Sequence, residues 1–212
     1  VVVVLFLFLG DVRSSLIVVA TLVLTPLLTF IAMNQFGISA NLMSLGGLAI
    51  AIGLMVDGSV VVVENAYLQL GRVANKGESQ LRVILHAVVE VATPVIFGVG
   101  IIILVFLPLM TLQGMEGKMF APLAYTIAIA LGISLILSMT LTPVMSTYLL
   151  KPPAHDGDHD TRLIAAMKQR YLKMLHWALA NEKKTVAAAV GVFVLTIGIL
   201  PFLGTAFIPE MK

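Results

Sequence analysis

Long apolar runs separated by short polar ones set the plan of this chain. Residues 1–9 are continuous aliphatic and aromatic sequence, stopped at Gly10-Asp11 with Arg13 just beyond. Further apolar runs cover residues 14–33, 42–70, 87–112, 119–150 and 185–203. Each of these five reaches the roughly 20 residues that cross a bilayer as a helix. The pattern therefore predicts one truncated and five complete membrane spans. Between them lie an uncharged loop (34–41), a polar, basic loop (71–86) and a tight turn (113–118) with Gly114 and Gly117. Pro26 is expected to free a backbone carbonyl in the first full span, where Thr21, Thr25 and Thr29 stand ready to satisfy such groups.

Residues 151–184 differ in character. Lys151-Pro-Pro closes a span, and residues 154–160 (AHDGDHD) form a hydrophilic linker. Over 161–181, Leu163, Ile164, Met167, Tyr171, Met174, Leu175 and Ala178 recur at helical spacing. Arg162, Lys168, Arg170 and Lys173 lie off that face. This predicts an amphipathic helix on the membrane surface, in contact with lipid, with Trp177 at headgroup level.

Composition agrees with a membrane protein: 59% of the residues are hydrophobic and only 11% charged, against about a quarter charged in soluble domains. The net charge of +2 comes from Lys and Arg in loops, and no basic face with interleaved aromatics marks a nucleic-acid partner. The absence of cysteine excludes disulfides, thiolate metal sites and cysteine nucleophiles. Nothing calls for a cofactor. The chain opens inside an apolar run and stops just after one, so it is expected to be a piece of a longer protein. All thirteen Lys and Arg except Lys118 and Lys212 fall in the loops at 10–14, 71–86 and 151–184. By the positive-inside bias those loops are cytoplasmic, and both chain ends lie on the far side.

Chemistry concentrates in the run 42–70. Asp57 lies near its middle, where a carboxylate costs roughly 2.5–3.5 kcal/mol on insertion scales. At helical period Gly46, Gly53, Asp57 and Glu64 share a stripe, with Asp57 and Glu64 about 10.5 Å apart along the axis. Glycine lets a neighbouring helix approach closely, so the stripe is expected to be a tightly packed, buried seam carrying an acid. No basic residue lies inside any span. An ionised Asp57 therefore needs a counter-charge from elsewhere or a bound cation, and without one desolvation favours the neutral acid. Either state suits a proton-coupling site. The competing reading is a neutral Asp57 that only hydrogen-bonds a neighbouring helix. Glu64 and Asn65 lie nearer the headgroups, and Glu90 begins a span beside a polar loop, where solvation is the simpler expectation.

The segments "GISANLMSLGGLAIAI" and "GLMVDGSVVVVENAY" resemble the fourth transmembrane helix of resistance–nodulation–division (RND) efflux permeases. "EVATPVIFGVGIIILVFLPLMTLQGMEGKMFAPLAYTIAIAL" is similar to the next two spans of the heavy-metal efflux branch. "FLGTAFIPEMK" resembles the exit from the seventh span into a periplasmic domain. The resemblance covers the chain from the end of the second span through the seventh. It implies an all-α polytopic bundle, the N-terminal half of an RND-type transmembrane domain, in the bacterial inner membrane. Residues 205–212 would then start a periplasmic domain, on the same side as residue 1.

The resemblance further implies a secondary transporter, not an enzyme, that exchanges protons for heavy-metal cations. It implies a homotrimer working with a periplasmic adaptor and an outer-membrane channel. Asp57 matches the proton-relay aspartate, Glu64 an acid common in metal exporters, and the facing lysine belongs to a second half. Gly58, with Gly46 and Gly53, would pack at the relay. Drug-exporting relatives carry a second acid where Gly58 stands, and export of organic molecules is the alternative function. Zinc/cobalt-type exporters carry an acid at the position of Ala51, which turns the expectation away from those two metals. Met43 and Met55 offer thioethers that suit Cu(I) or Ag(I), although filling gaps between helices is the more economical role. The two His and three Asp of residues 154–160 read as a solvated loop before a metal site. An intramembrane protease is disfavoured, since only one acid lies at midplane and Ser59 has no histidine base within a span.

Overall fold

In the computed structural model the described residues are 2–9, 11–73, 78–150 and 162–199. All the regular structure among them is helical: α1 (Val2–Leu9), α2 (Val12–Gln35), α3 (Leu42–Val73), α4 (Gln80–Met110), α5 (Gly114–Met139), α6 (Leu141–Leu149), α7 (Arg162–Ala180) and α8 (Glu182–Ile199). The chain forms two compact units, residues 1–159 and 160–212. Four stretches of the first unit are long and apolar enough to cross a membrane: Val12–Gln35, Leu42–Arg72, Gln80–Met110 and Gly114–Leu149. The chain is an all-α membrane protein, as its pattern predicts.

The helix ends follow local chemistry. Asp11 caps α2, its Oδ2 accepting from the Ser14 amide at 3.2 Å and the Ser14 hydroxyl at 3.0 Å. Asn41 and Ser44 cap α3 reciprocally, Ser44 N donating to Asn41 Oδ1 and Asn41 N to Ser44 Oγ, both at 2.9 Å. The turn before α5 is shorter than expected, because the helix begins at Gly114 itself. Gly114 takes φ +74°, and a Cβ on Gly117 would collide with the Leu112 carbonyl, so both glycines serve this turn. The helices also outrun the apolar sequence, α3 through Val73 and α4 from Gln80. Good helix formers such as Gln80, Leu81 and Arg82 carry it on where lipid burial ends.

The span expected over 119–150 is one crossing built from two helices. It breaks at Thr140, with φ −116° and ψ −65°. Pro143 has no N–H for the Met139 carbonyl, and its ring crowds that turn. Pro26, by contrast, is absorbed inside α2. The threonines do not serve the Leu22 carbonyl that it frees. Thr21 Oγ1 donates to Val18 O, Thr25 to Thr21 O and Thr29 to Thr25 O, at 2.7–2.8 Å. Their hydroxyls stay within carbonyls of their own helix, and Thr21 also reaches Ser59 Oγ on α3 at 3.1 Å.

Within this unit α3 packs on α2, α4, α5 and α6. One core cluster joins Ile17 and Val18 of α2 with Val62, Val63 and Ala66 of α3 and Ile84 and Ala87 of α4. A second joins Leu48, Ala51 and Met55 of α3 with Ile127, Ala130 and Leu131 of α5. In the second unit, α7 has an apolar face that includes Met167, Tyr171, Met174 and Trp177, all exposed. The described part of the last expected span is α8, ending at Ile199. Residues 200–203, the linker 154–160 and residues 205–212 lie outside the described residues.

Candidate membrane-embedded acid site

The buried and exposed positions of α3 sort into two stripes. Gly47, Leu48, Ala51, Met55, Ser59, Val62 and Ala66 are buried, and they follow the helical period along the face toward the other helices. Ile50, Gly53, Asp57, Val61, Glu64 and Leu68 are exposed and follow the same period on the opposite face. Asp57 thus stands in the middle of a spanning helix on a face that no other described helix covers. No hydrogen bond or ion pair engages it among the described residues.

This corrects the expected seam. Gly46 and Gly53 have open space where a Cβ would sit, so within this chain they do not admit a close neighbour. The close approach is one residue away at Gly47, where a Cβ would lie 2.7 Å from the Leu123 carbonyl oxygen of α5. Gly58 does pack, its Cβ position being 3.4 Å from Val95 Cγ1 of α4 and 3.6 Å from Ser138 Oγ of α5. The register sets the difference: consecutive residues are about 100° apart around a helix, so adjacent glycines face different neighbours.

Ala51 is fully buried in the cluster with Ile127, Ala130 and Leu131. An acid there would enter an apolar contact instead of joining Asp57 on the open face. Met55 is 3% exposed and belongs to the same cluster, and its carbonyl accepts a 3.1 Å bond from Ser134 Oγ. Met43 lies near the start of α3 and is half-buried. Twelve residues separate the two sulfurs, roughly 18 Å along the axis, so they cannot share one ion. Among the described residues no group of three or more His, Cys, Asp or Glu is placed to hold a metal. Glu64 is exposed on the Asp57 face, while its neighbour Asn65 turns toward α4.

Over its whole length, residues 1–212, the sequence matches the AcrB/AcrD/AcrF family. The chain belongs to that family. HelA of Legionella pneumophila is 41% identical over 216 residues, which are 99% of this chain and 20% of HelA. The cobalt-zinc-cadmium resistance protein CzcA of Cupriavidus metallidurans is 38% identical over 219 residues, all of this chain and 20% of CzcA. The crystal structure of a heavy metal efflux pump superposes with a TM-score of 0.73 and 32% identity, covering 100% of this chain and 19% of that one. The chain thus spans about a fifth of the length of these relatives. The resemblance to RND permeases, drawn from the α3 and α4–α5 segments, is met by this family match.

Three contacts around the site escape sequence reasoning. They are Gly47 against Leu123, Ser138 and Val95 against Gly58, and Glu90 against α3. The Glu90 carboxylate accepts from Asn65 Nδ2 at 3.1 Å and from Gln69 Nε2 at 2.9 Å, and Asn65 also donates to the Ala87 carbonyl at 2.8 Å. The available signal was the pairing of two amides one turn apart with an acid on the next helix. Amides and acids near a span end suit solvent equally well, so only the packing of α3 on α4 selects these partners.

Proposed function

We propose that this chain is the proton-translocating part of an RND-type exporter of heavy-metal cations in the inner membrane. One observation carries the reading: Asp57 is an acid at mid-span, without a partner among the described residues and presented on the open face of the helix around which the first unit packs. An acid at that depth is rare without a job. In the proposed cycle a periplasmic proton neutralises Asp57 and weakens its hold on a basic side chain from outside this chain, a lysine by the family resemblance. The exposed stripe of α3 is the surface along which that partner helix shifts, with Gly46 and Gly53 leaving room for it. Glu64, on the same face toward the cytoplasmic end, is a second station.

One charge falling through 100 mV releases about 2.3 kcal/mol. At 1.4 kcal/mol per factor of ten, that sustains roughly a 40-fold substrate gradient per proton. The metal assignment draws on the relatives, one named for cobalt, zinc and cadmium resistance and one solved as a heavy metal efflux pump. Met43 and Met55 are separate candidate stations for a thiophilic ion. Assembly as a trimer with a periplasmic adaptor and an outer-membrane channel completes the reading. So does placement of 151–184 on the cytoplasmic side and of the span 185–204 leading into a periplasmic domain at 205–212.

The test is Asp57→Asn in the complete permease. Metal resistance should fall to the level of a deletion strain while membrane insertion and oligomer size stay as in wild type. Full resistance in that variant overturns the relay. Profiling a deletion strain against metals and organic dyes decides the substrate class, since sensitivity to dyes alone would replace metal export by drug export.

A further inference from the structure

Helix α7 carries four cations, Arg162, Lys168, Arg170 and Lys173, and no acid. A solvent-facing helix ordinarily mixes both signs, since opposite charges three or four residues apart support it. Here the matching anion must come from outside the helix. Its apolar side chains are equally uncovered: Met167, Tyr171, Met174 and Trp177 are all more than half exposed, Met174 at 71%.

The two kinds of side chain are arranged together. At about 100° per residue, Met167, Tyr171, Met174 and Ala178 fall on one side of α7, and Gln169 and His176 lie opposite. Arg170, Lys173 and Trp177, spaced i, i+3 and i+7, form one border of the apolar side, and all three are exposed. At such a border a long basic side chain lays its stem along apolar surface and lifts its charge to the polar layer. A tryptophan likewise keeps its ring apolar and its N–H wet.

The junction with α8 indicates what that side meets. Asn181 alone separates the two helices. Its amide donates to the Trp177 carbonyl at 3.0 Å and to the Ala178 carbonyl at 3.2 Å. Thr185 Oγ1 of α8 closes on the same Ala178 carbonyl, also at 3.2 Å. Beyond the charged Glu182, Lys183 and Lys184, α8 is apolar and exposes Val186, Val190 and Phe193. α7 is therefore tied to the point where an uncovered apolar helix turns polar. For a helix in a bilayer that point is the headgroup layer, which supplies both an apolar bed and phosphates.

We propose that α7 is a docking surface for anionic phospholipid, with its apolar side among acyl chains and Arg170 and Lys173 on the headgroup phosphates beside Trp177. One basic side chain near an anionic surface strengthens association about five-fold, so the pair discriminates anionic from zwitterionic lipid. The inference rests on placing residues 151–184 at the membrane surface, and Asp57 takes no part in it.

The complete permease, with a photoreactive benzophenone side chain in place of Met174, is put into nanodiscs of equal phosphatidylcholine and phosphatidylglycerol. After irradiation, mass spectrometry reads which lipid is joined at that position. Phosphatidylglycerol adducts should exceed phosphatidylcholine adducts at least ~5-fold. The excess should shrink in about 1 M salt, where charges are screened within about 3 Å. It should vanish when Arg170→Gln and Lys173→Gln are combined, with the melting temperature unchanged. Equal adducts of the two lipids overturn the anionic preference and leave α7 on the membrane. Adducts to protein in place of lipid overturn the membrane placement, and the docking surface falls with it. An excess that survives the double substitution overturns the assignment to Arg170 and Lys173.

Discussion

At the scale of single residues, the glycines of α3 separate close packing from open surface. Gly47→Ala drives a methyl against the Leu123 carbonyl. Backbone cannot retreat cheaply in a packed interior, so the cost should be about 1–3 kcal/mol. It would be read as a lower melting temperature of the detergent-solubilised chain. Gly53→Ala meets nothing in the same chain and removes a poor helix former, so its stability should hold or rise by up to about 1 kcal/mol. In the complete permease the same Gly53→Ala should impair export if a partner helix slides over this face. Unimpaired export would place that partner elsewhere. Gly58→Asp, which would imitate the paired acids of drug exporters, should destabilise the chain because its side chain enters the contact with Val95 and Ser138.

At the scale of elements, proline acts by its position in the helix and not merely by its presence. Pro26 leaves α2 continuous, whereas Pro143 accompanies the break at Thr140. Pro143→Ala restores an amide able to bond the Met139 carbonyl. It should close the break, and amide exchange at Thr140–Thr142 should slow; unchanged exchange would put the cause of the break in tertiary packing. The hydroxyl contact between α2 and α3 is a second element-level feature. Thr21→Val removes the bond to Ser59 and should cost about 0.6 kcal/mol, the typical worth of an interhelical bond in a membrane protein. Long apolar runs and their order were legible, because lipid leaves a crossing chain almost no alternative to a helix. The break was not, since a proline four residues beyond a carbonyl is tolerated in one helix and disruptive in another.

At the scale of the molecule, the first unit buries α3 on one side and leaves much of α4 uncovered. Phe97, Ile101, Leu104 and Val105 are all exposed large hydrophobics. An apolar face of this kind meets lipid or another helix, and the two are separable. Leu104→Ala against lipid should change stability by less than about 0.5 kcal/mol. A cost of 2 kcal/mol or more in the complete permease would reveal a helix packed there. The open face of α3, with Asp57 at its centre, presents the same choice with an acid added.

What the amino-acid sequence determined by itself was the class of protein, the order of its long apolar helices, and the acid placed among them. Those follow from the one-dimensional cost of placing each residue in lipid, which needs no knowledge of neighbours. Tertiary structure alone decided which of two adjacent glycines takes the close contact, that Asp57 faces outward from its own bundle, and that Glu90 is tied to α3. Each is a matter of rotation about a helix axis, where one residue turns a side chain by about 100°, and only the packing of several helices together selects that angle.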